Sequence, residues 1–280
     1  MARITDKDII MLKDCLAEAA QAEIVPRFRN LEADDIAEKT SAIDLVTQAD
    51  LLSEKRITAF LQERFPAALI VGEEAYDADR SVIAALKDAD LAFVIDPVDG
   101  TLNFAGGFPV FGMILAIVEK GETVGGILYD PLQGDSVTAI KGAGAFLSRQ
   151  DGAERKVTTA KSKSLDQMIG CMAWAYMDEP DRSRICANMS KLRMSFSFNC
   201  SAYEYWLTSS GRLDFTSHIK MMPWDHLAGV LITQEAGGHA AKYDGTPYSA
   251  WETAGGLLVA SSETTWSLVR DAIIGRMSAC

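Results

Sequence analysis

The densest chemistry in the chain lies in Asp96-Pro97-Val98-Asp99-Gly100-Thr101, directly after the apolar run Leu91 to Ile95. An Asp-Pro pair favours a type I turn, which brings its first and fourth residues within about 7 Å. The spacing therefore predicts that Asp96 and Asp99 converge. Gly100 gives backbone freedom, and Thr101 to Ala105 reads as a short helical turn whose first N–H groups would face an anion. An ordinary turn capped by Asp99 accounts for the same residues.

Three other stretches carry acids where elements should end. Pro223-Trp224-Asp225 opens an apolar helix that closes at Glu235-Ala236-Gly237-Gly238, with Gly237 at the C′ position. Glu73-Glu74 follows the apolar run Ala68 to Val71, and Asp50 stands at the head of a helical pattern. Capping explains Asp225 and Asp50 equally well, and exposed loop acids explain Glu73-Glu74. If Glu73, Asp96, Asp99 and Asp225 gather, they repel: two carboxylates 4 Å apart cost about 4 kcal/mol at an effective dielectric of about 20. Hard cations relieve this, oxygen-only ligands suit Mg²⁺, and four carboxylates balance two Mg²⁺. Two such ions about 3.5–4 Å apart activate water and stabilise a leaving oxygen.

The elements that must position these residues follow from periodicity. Thr5 precedes a helix over 6–29, with Ile9, Leu12, Leu16 and Ala20 on one face and Pro26 ending or kinking it. Residues 42–48 read as extended and 50–65 as a helix. Residues 68–71 and 91–95 read as buried strands, with a weaker helix over 80–88. Runs at 112–118, 123–129, 135–140 and 144–148, separated by Gly and Pro turns, predict an antiparallel meander. Residues 151–168 are polar and Lys-rich and mark a seam between an N-terminal half, 1–150, and a C-terminal half, 151–280. Beyond the seam, strands are expected at 168–175, 193–198, 213–215 and 256–261, with helices at 181–191, 201–211, 225–236 and 263–275. The mixture predicts a layered α/β fold with antiparallel and mixed sheets.

Composition narrows the function. The 280 residues carry 39 Asp and Glu against 27 Lys and Arg, a net charge of −12 with no basic block. A nucleic-acid surface needs clustered positive charge, so direct nucleic-acid binding is disfavoured. Cys15, Cys171, Cys186, Cys200 and Cys280 are odd in number and widely spaced, which argues against a disulfide framework or a zinc site. The charged start (Arg3, Asp6, Lys7, Asp8) is unlike a signal peptide. The longest uncharged apolar stretch, Val110 to Val118, is too short to span a bilayer. The expectation is a cytoplasmic protein with no membrane partner.

Taken together, V-G-E-E at 71–74, D-P-V-D-G-T-L-N-F at 96–104, W-D-H-L-A-G at 224–229 with E-A-G-G at 235–238, and Lys39 with D-L-V-T at 44–47 and Asp50 resemble the inositol monophosphatase family over nearly the whole chain. The resemblance implies a layered αβαβα sandwich of the sugar-phosphatase type, a homodimer, and Mg²⁺-dependent, lithium-sensitive hydrolysis of a small phosphorylated metabolite. It further implies that Glu73, Asp96 and the Val98 carbonyl match a first metal site, and Asp96, Asp99 and Asp225 a second, with a third ion left open. Gly100 and Thr101 match the phosphate-binding turn, Thr101 with Asp50 the pair that helps activate water, Glu73 a further aid to that water, and Lys39 a motif position near the site.

The chain departs from that pattern at the substrate rim. Inositol-specific members carry an acid seven positions before the tryptophan-motif Asp; here that position is His218, with Lys220 beside it. The usual G-[ST]-A stretch appears as Asn199-Cys200-Ser201-Ala202. Lys39, Ser201, His218 and Lys220 are therefore expected on the rim. His218 and Lys220 either face solvent or meet a second anionic group. The second case suits a bisphosphorylated nucleotide, a sugar bisphosphate or another phosphorylated metabolite such as histidinol phosphate, in place of an inositol monophosphate. His226 is expected either behind Asp225 or on a helix surface. A function of another class is a non-catalytic accessory role in transcription complexes.

Overall fold

A computed structural model describes residues 4–41, 43–76 and 80–277. Helix α1 (Asp6–Ala19) begins in a capping box between Thr5 and Asp8, and the chain continues as a wide turn over Ala20–Ile24. The hairpin β1 (Ile36–Ser41) and β2 (Asp44–Thr47) leads into α2 (Gln48–Arg64). Thr47 is the N-cap of α2, and Asp50 at the third helical position returns the bond: the Thr47 N–H donates to its Oδ2 at 2.8 Å. The capping-box partner of Thr47 and the site residue are thus the same Asp50.

Seven strands form the large sheet. They are β3 (Leu69–Gly72), β4 (Ala92–Asp99), β5 (Gly112–Glu119), β6 (Glu122–Tyr129), β7 (Ser136–Ile140), β8 (Gly144–Ser148) and β9 (Glu154–Lys156), paired in chain order. Only β3 and β4 run parallel; the rest is the expected meander. Short helices α3 (Glu73–Tyr76), α4 (Val82–Ala85) and α5 (Thr101–Ala105) lie along the β3–β4–β5 connections.

The small sheet has the order β11-β10-β12-β14-β13, from β10 (Ile169–Met172), β11 (Met194–Phe196), β12 (Phe215–His218), β13 (His239–Lys242) and β14 (Leu257–Ala260). Helices α7 (Ser201–Ser209) and α8 (Pro223–Glu235) pack between the two sheets. Helices α1 and α2 cover the outer face of the large sheet. On the far side of the small sheet, Ile185 of α6 (Asp181–Met189) and Trp266 and Val269 of α9 (Glu263–Val269) complete a third core. The result is the expected αβαβα order. Each sheet buries both faces, which explains fully buried strands such as β4 that show no apolar–polar alternation.

Several local expectations need correction. Asp96 to Asp99 is not a type I turn but the end of β4, where the register against β5 slips between Asp96↔Ile114 and Asp99↔Gly112. Three steps on β4 oppose two on β5, so one residue is extra, and the bulge turns both carboxylates to one side. Pro97, with no N–H to offer the ladder, suits that bulge. The strand expected at 213–215 runs over Phe215–His218, and β1, β9 and β13 were not foreseen, β9 lying within the stretch read as a seam. No helix of the described residues is long and apolar enough to cross a membrane. The four described cysteines are free thiols, and Cys280 lies outside the described residues.

Candidate active site

The acids gather at the carboxyl ends of β3 and β4. Oxygens of Asp96, Asp99 and Asp225 lie within 4.8 Å of one another. Asp96 and Asp99 reach this point from the bulge, and Asp225 from the first turn of α8. Pro223 occupies the first helical position there, and Met222 is the N-cap, so Asp225 is not the cap. Glu73, at the start of α3, lines the same cleft with Val98, Gly100, Thr101 and Ser201.

Asp96 and Asp99 are each oriented by protein donors. The Val98 N–H donates to Asp96 Oδ1 at 3.1 Å. Asp99 Oδ2 accepts from the Ala202 N–H at 2.5 Å and from the Cys200 thiol at 3.1 Å. The Thr101 hydroxyl stands between Asp50 Oδ1, at 3.1 Å, and the Val98 carbonyl, at 3.0 Å. Asp50 thereby joins the site although it is fully buried beneath it. Gly100 holds a left-handed conformation, φ 90°, which a side chain would strain.

Burial pushes these acids toward their protonated forms, because a charge without water or a counter-ion is disfavoured. Asp99 rises to about 7, with Asp225 as the next cause. Asp225 rises to about 6 despite Lys220, and Asp50 to about 6 despite the Thr47 hydroxyl bond. Asp96 lies well above the carboxylate range through burial, then Glu73, Asp99 and Asp225. A cation among these buried carboxyls would relieve both their burial and their mutual repulsion. The donor set is all oxygen, which fits a hard divalent ion.

The rim differs from expectation. Lys39 is committed: its Nζ lies 3.0 Å from Glu73 and 2.6 Å from Glu74. Burial opposes its charge, but the two glutamates hold its ammonium above the ordinary lysine value. Lys220 is half-exposed and pairs with Asp44 at 3.4 Å. His218 is neither a solvent-facing residue nor a cation waiting for an anion. It is 6 % exposed, stacked on Tyr205, and kept neutral by burial and by His226. His226 is fully buried, not on a helix surface. Its Nε2 donates to the Lys220 carbonyl at 2.8 Å, so its Nδ1 accepts from the Tyr205 hydroxyl at 3.0 Å.

Two supporting acids escaped notice. Glu54 accepts from the Glu74 and Ala75 N–H groups at 2.8 and 2.9 Å and so fixes the start of α3. Its signal was present: Asp50 and Glu54 share a helical face with Ile57 and Leu61, an acidic pair in an apolar stripe. Glu204, on α7, accepts from the Phe198 N–H at 3.0 Å and the Thr216 hydroxyl at 2.7 Å.

Comparison with known proteins shows which family the chain is similar to. The sequence profile described as the inositol monophosphatase family matches residues 9–273. An inositol-1-monophosphatase of Bacillus subtilis is 30 % identical over 220 residues, 78 % of this chain and 79 % of its own. A Nus factor SuhB of Xylella fastidiosa is 30 % identical over 246 residues, 84 % of this chain and 82 % of its own. Among solved structures, an inositol monophosphatase from Zymomonas mobilis superposes with a TM-score of 0.79 at 24 % identity, covering 97 % of this chain and 99 % of that one.

Proposed function

We infer that this chain, which belongs to the inositol monophosphatase family, is a Mg²⁺-dependent phosphomonoesterase acting on a small phosphorylated metabolite of the inositol monophosphate kind. The observation that carries the reading is the trio Asp96, Asp99 and Asp225, with oxygens within 4.8 Å, opening beside the Gly100–Thr101 turn.

In this reading Asp96, Asp99 and Asp225 hold one ion, and Glu73, Asp96 and the Val98 carbonyl hold another. When bound, such ions offset the charge of the phosphate and make water more acidic. The remaining work falls to the chain itself. The first N–H groups of α5 have no partner within the helix and donate to phosphate oxygens. The Thr101 hydroxyl takes a proton from the attacking water and passes its own to Asp50 Oδ1, 3.1 Å away. Asp50, held up at about 6 by burial, is ionised at neutral pH yet basic enough to accept it. Ser201 and His218 face the alcohol portion, and Lys39 keeps Glu73 in place. The N-terminal half supplies most of the acids and the C-terminal half Asp225 and the rim.

The test is phosphate release from a panel of esters after EDTA treatment, with and without added Mg²⁺ and with Li⁺. The panel holds inositol 1-phosphate, adenosine 3′,5′-bisphosphate, fructose 1,6-bisphosphate and histidinol phosphate. Release that depends on Mg²⁺ supports the reading, and no release from any ester overturns it. The relative named as a Nus factor favours a second reading, an accessory protein in transcription. Co-purification with RNA polymerase that is indifferent to Asp99→Asn would put that reading first. A homodimer is part of the proposal: Trp174 and Met194 are 42 and 54 % exposed, apolar surface that a second copy would cover. Sizing in solution tests it.

A further inference from the structure

Asp99 and Asp225 depend on different helices. The start of α7 orients Asp99, whose Oδ2 accepts from the Ala202 N–H and the Cys200 thiol. The first turn of α8 carries Asp225. The distance between the two carboxylates therefore follows the seating of α7 against α8. That seating is built around one ring. Tyr205 of α7 is fully buried, and its ring lies where a side chain on Gly229 of α8 would stand. Three residues earlier on α8, and so on the same face, Nδ1 of His226 meets the Tyr205 hydroxyl at 3.0 Å. Its Nε2 lies 2.8 Å from the carbonyl of Lys220, in the loop between β12 and α8. A carbonyl only accepts, so Nε2 carries the ring proton and Nδ1 accepts the tyrosine proton. His226 lines the cleft, yet both its nitrogens are committed to the protein and neither is left for a bound molecule.

We propose that His226 is a positioning residue for the divalent ion: its bond to Tyr205 locks α7 to α8 and so fixes the separation of Asp99 and Asp225. The inference rests on the reading of the acidic trio as an ion site, and it adds a residue that touches neither ion nor substrate. The bond to Lys220 has a different part. It steadies a loop that is anchored a second time, where Lys220 Nζ pairs with Asp44. A histidine that merely filled the core would support the fold and leave ion affinity alone, so the two roles differ in what they move.

Each bond can be removed by itself. Tyr205→Phe keeps the ring and deletes its hydroxyl. His226→Gln places an amide nitrogen near Nε2 and keeps the Lys220 bond, whereas His226→Asn places an amide oxygen near Nδ1 and keeps the Tyr205 bond. Mg²⁺ is titrated calorimetrically at pH 8 into EDTA-treated, dialysed protein with no ester present. Tyr205→Phe and His226→Gln are each expected to raise the Mg²⁺ Kd about tenfold, the low end for losing a partner that orients a ligand. Their double variant should bind no more weakly than either alone, because both delete the same bond. His226→Asn should stay within about threefold of the unmodified protein.

Melting temperatures in EDTA show whether each variant folds. A lower melting temperature with an unmoved Mg²⁺ Kd in Tyr205→Phe is the mark of a structural role and overturns the inference. So does His226→Asn weakening Mg²⁺ as much as His226→Gln, or additive losses in the double variant. If the histidine variants do not fold, Tyr205→Phe, which leaves the ring in place, decides alone. No Mg²⁺ binding by the unmodified protein defeats the ion-site reading and this inference together. Normal binding there with any contrary variant result defeats the inference alone.

Discussion

Asp99→Asn should make the metal-free protein more stable and inactive at once. Asp99 is nearly buried, and its Oδ2 accepts the Ala202 N–H at 2.5 Å. An asparagine oxygen can keep that bond while the charge disappears. Burial, then Asp225, raises the carboxyl from 3.8 to about 7. A group whose folded value is raised adds stability that is present below the unfolded value and is lost as pH rises through the folded one. At pH 8 the ionised Asp99 therefore burdens the metal-free fold by at most about 4 kcal/mol, at about 1.36 kcal/mol per unit. Removing the charge should raise the melting temperature of EDTA-treated protein by up to about 8 °C, at about 2 °C per kcal/mol for a chain of this size. By pH 4 the advantage should vanish, since Asp99 is then protonated in the folded state. Added Mg²⁺ should reverse the order, stabilising the wild type and hardly affecting the variant. Phosphate release should fall at least about a hundredfold, since several kcal/mol of metal-supplied stabilisation depends on the intact ligand set. Thermal melts at pH 4 and 8, with EDTA and with Mg²⁺, read the first effect, and a phosphate assay reads the second. A variant no more stable than wild type at pH 8 without metal, or one that retains Mg²⁺-dependent turnover, refutes the reasoning.

Metal-free wild type should lose stability between pH 5 and 8, because Asp50 and Asp225 are raised to about 6, Glu204 to about 7 and Glu74 to about 8; urea midpoints across that range check it, and Mg²⁺ should flatten the slope. Thr101→Val should lower kcat about a hundredfold with KM little changed, while Mg²⁺ still raises the melting temperature; single-ester kinetics and melts together decide. Gly72→Ala puts a methyl 2.3 Å from the Glu54 carboxyl, which the Glu74 and Ala75 amides pin in place; about 1–3 kcal/mol of stability should be lost, with a drop in turnover as Glu73 shifts. Gly229→Ala meets the Tyr205 ring at 2.2 Å; α7 and α8 must part, and calorimetry should show a similar loss.

What the sequence made legible was set by hydrophobic runs followed by acids. Asp96 and Asp99 were expected together and are together, although a bulge does the work assigned to a turn; Asp-Pro is compatible with both, and only the pairing with β5 distinguishes them. The hairpin strand Ile36–Ser41 was invisible because IAEKTS offers no apolar face. Strand β12 was displaced for a related reason. Its inner residues Thr216, Ser217 and His218 are polar yet buried, and they are satisfied by Glu204, Tyr243 and one another. Reading burial from apolarity fails wherever hydrogen bonds replace it, and that failure also left His218 between solvent and a second anionic group, when it is in fact buried.

The same bookkeeping sorts the buried acids by role. Glu54 gives both oxygens to the backbone of α3, and Glu204 gives both to Phe198 and Thr216. Neither has an oxygen left for an ion, and both act as fixtures. Asp50 gives Oδ2 to Thr47 and Oδ1 to Thr101, so it can reach the chemistry only through a hydroxyl, as a base does and a ligand does not. Asp96 and Asp99 differ: the bonds that orient them use Oδ1 of one and Oδ2 of the other, so each has a second oxygen that these bonds do not use. Ligands therefore come from the strand bulge, where a backbone amide aims Asp96 and Asp99 without consuming either, and from the first turn of α8, which brings Asp225. Bases and fixtures come from helices α2 and α7, where at least two donors hold each. Three layers of the sandwich must meet at one edge for that division to exist. A shift of α8 against the large sheet would remove Asp225 from the trio while leaving Asp50 and Glu54 satisfied, so loss of metal affinity should precede loss of the fold.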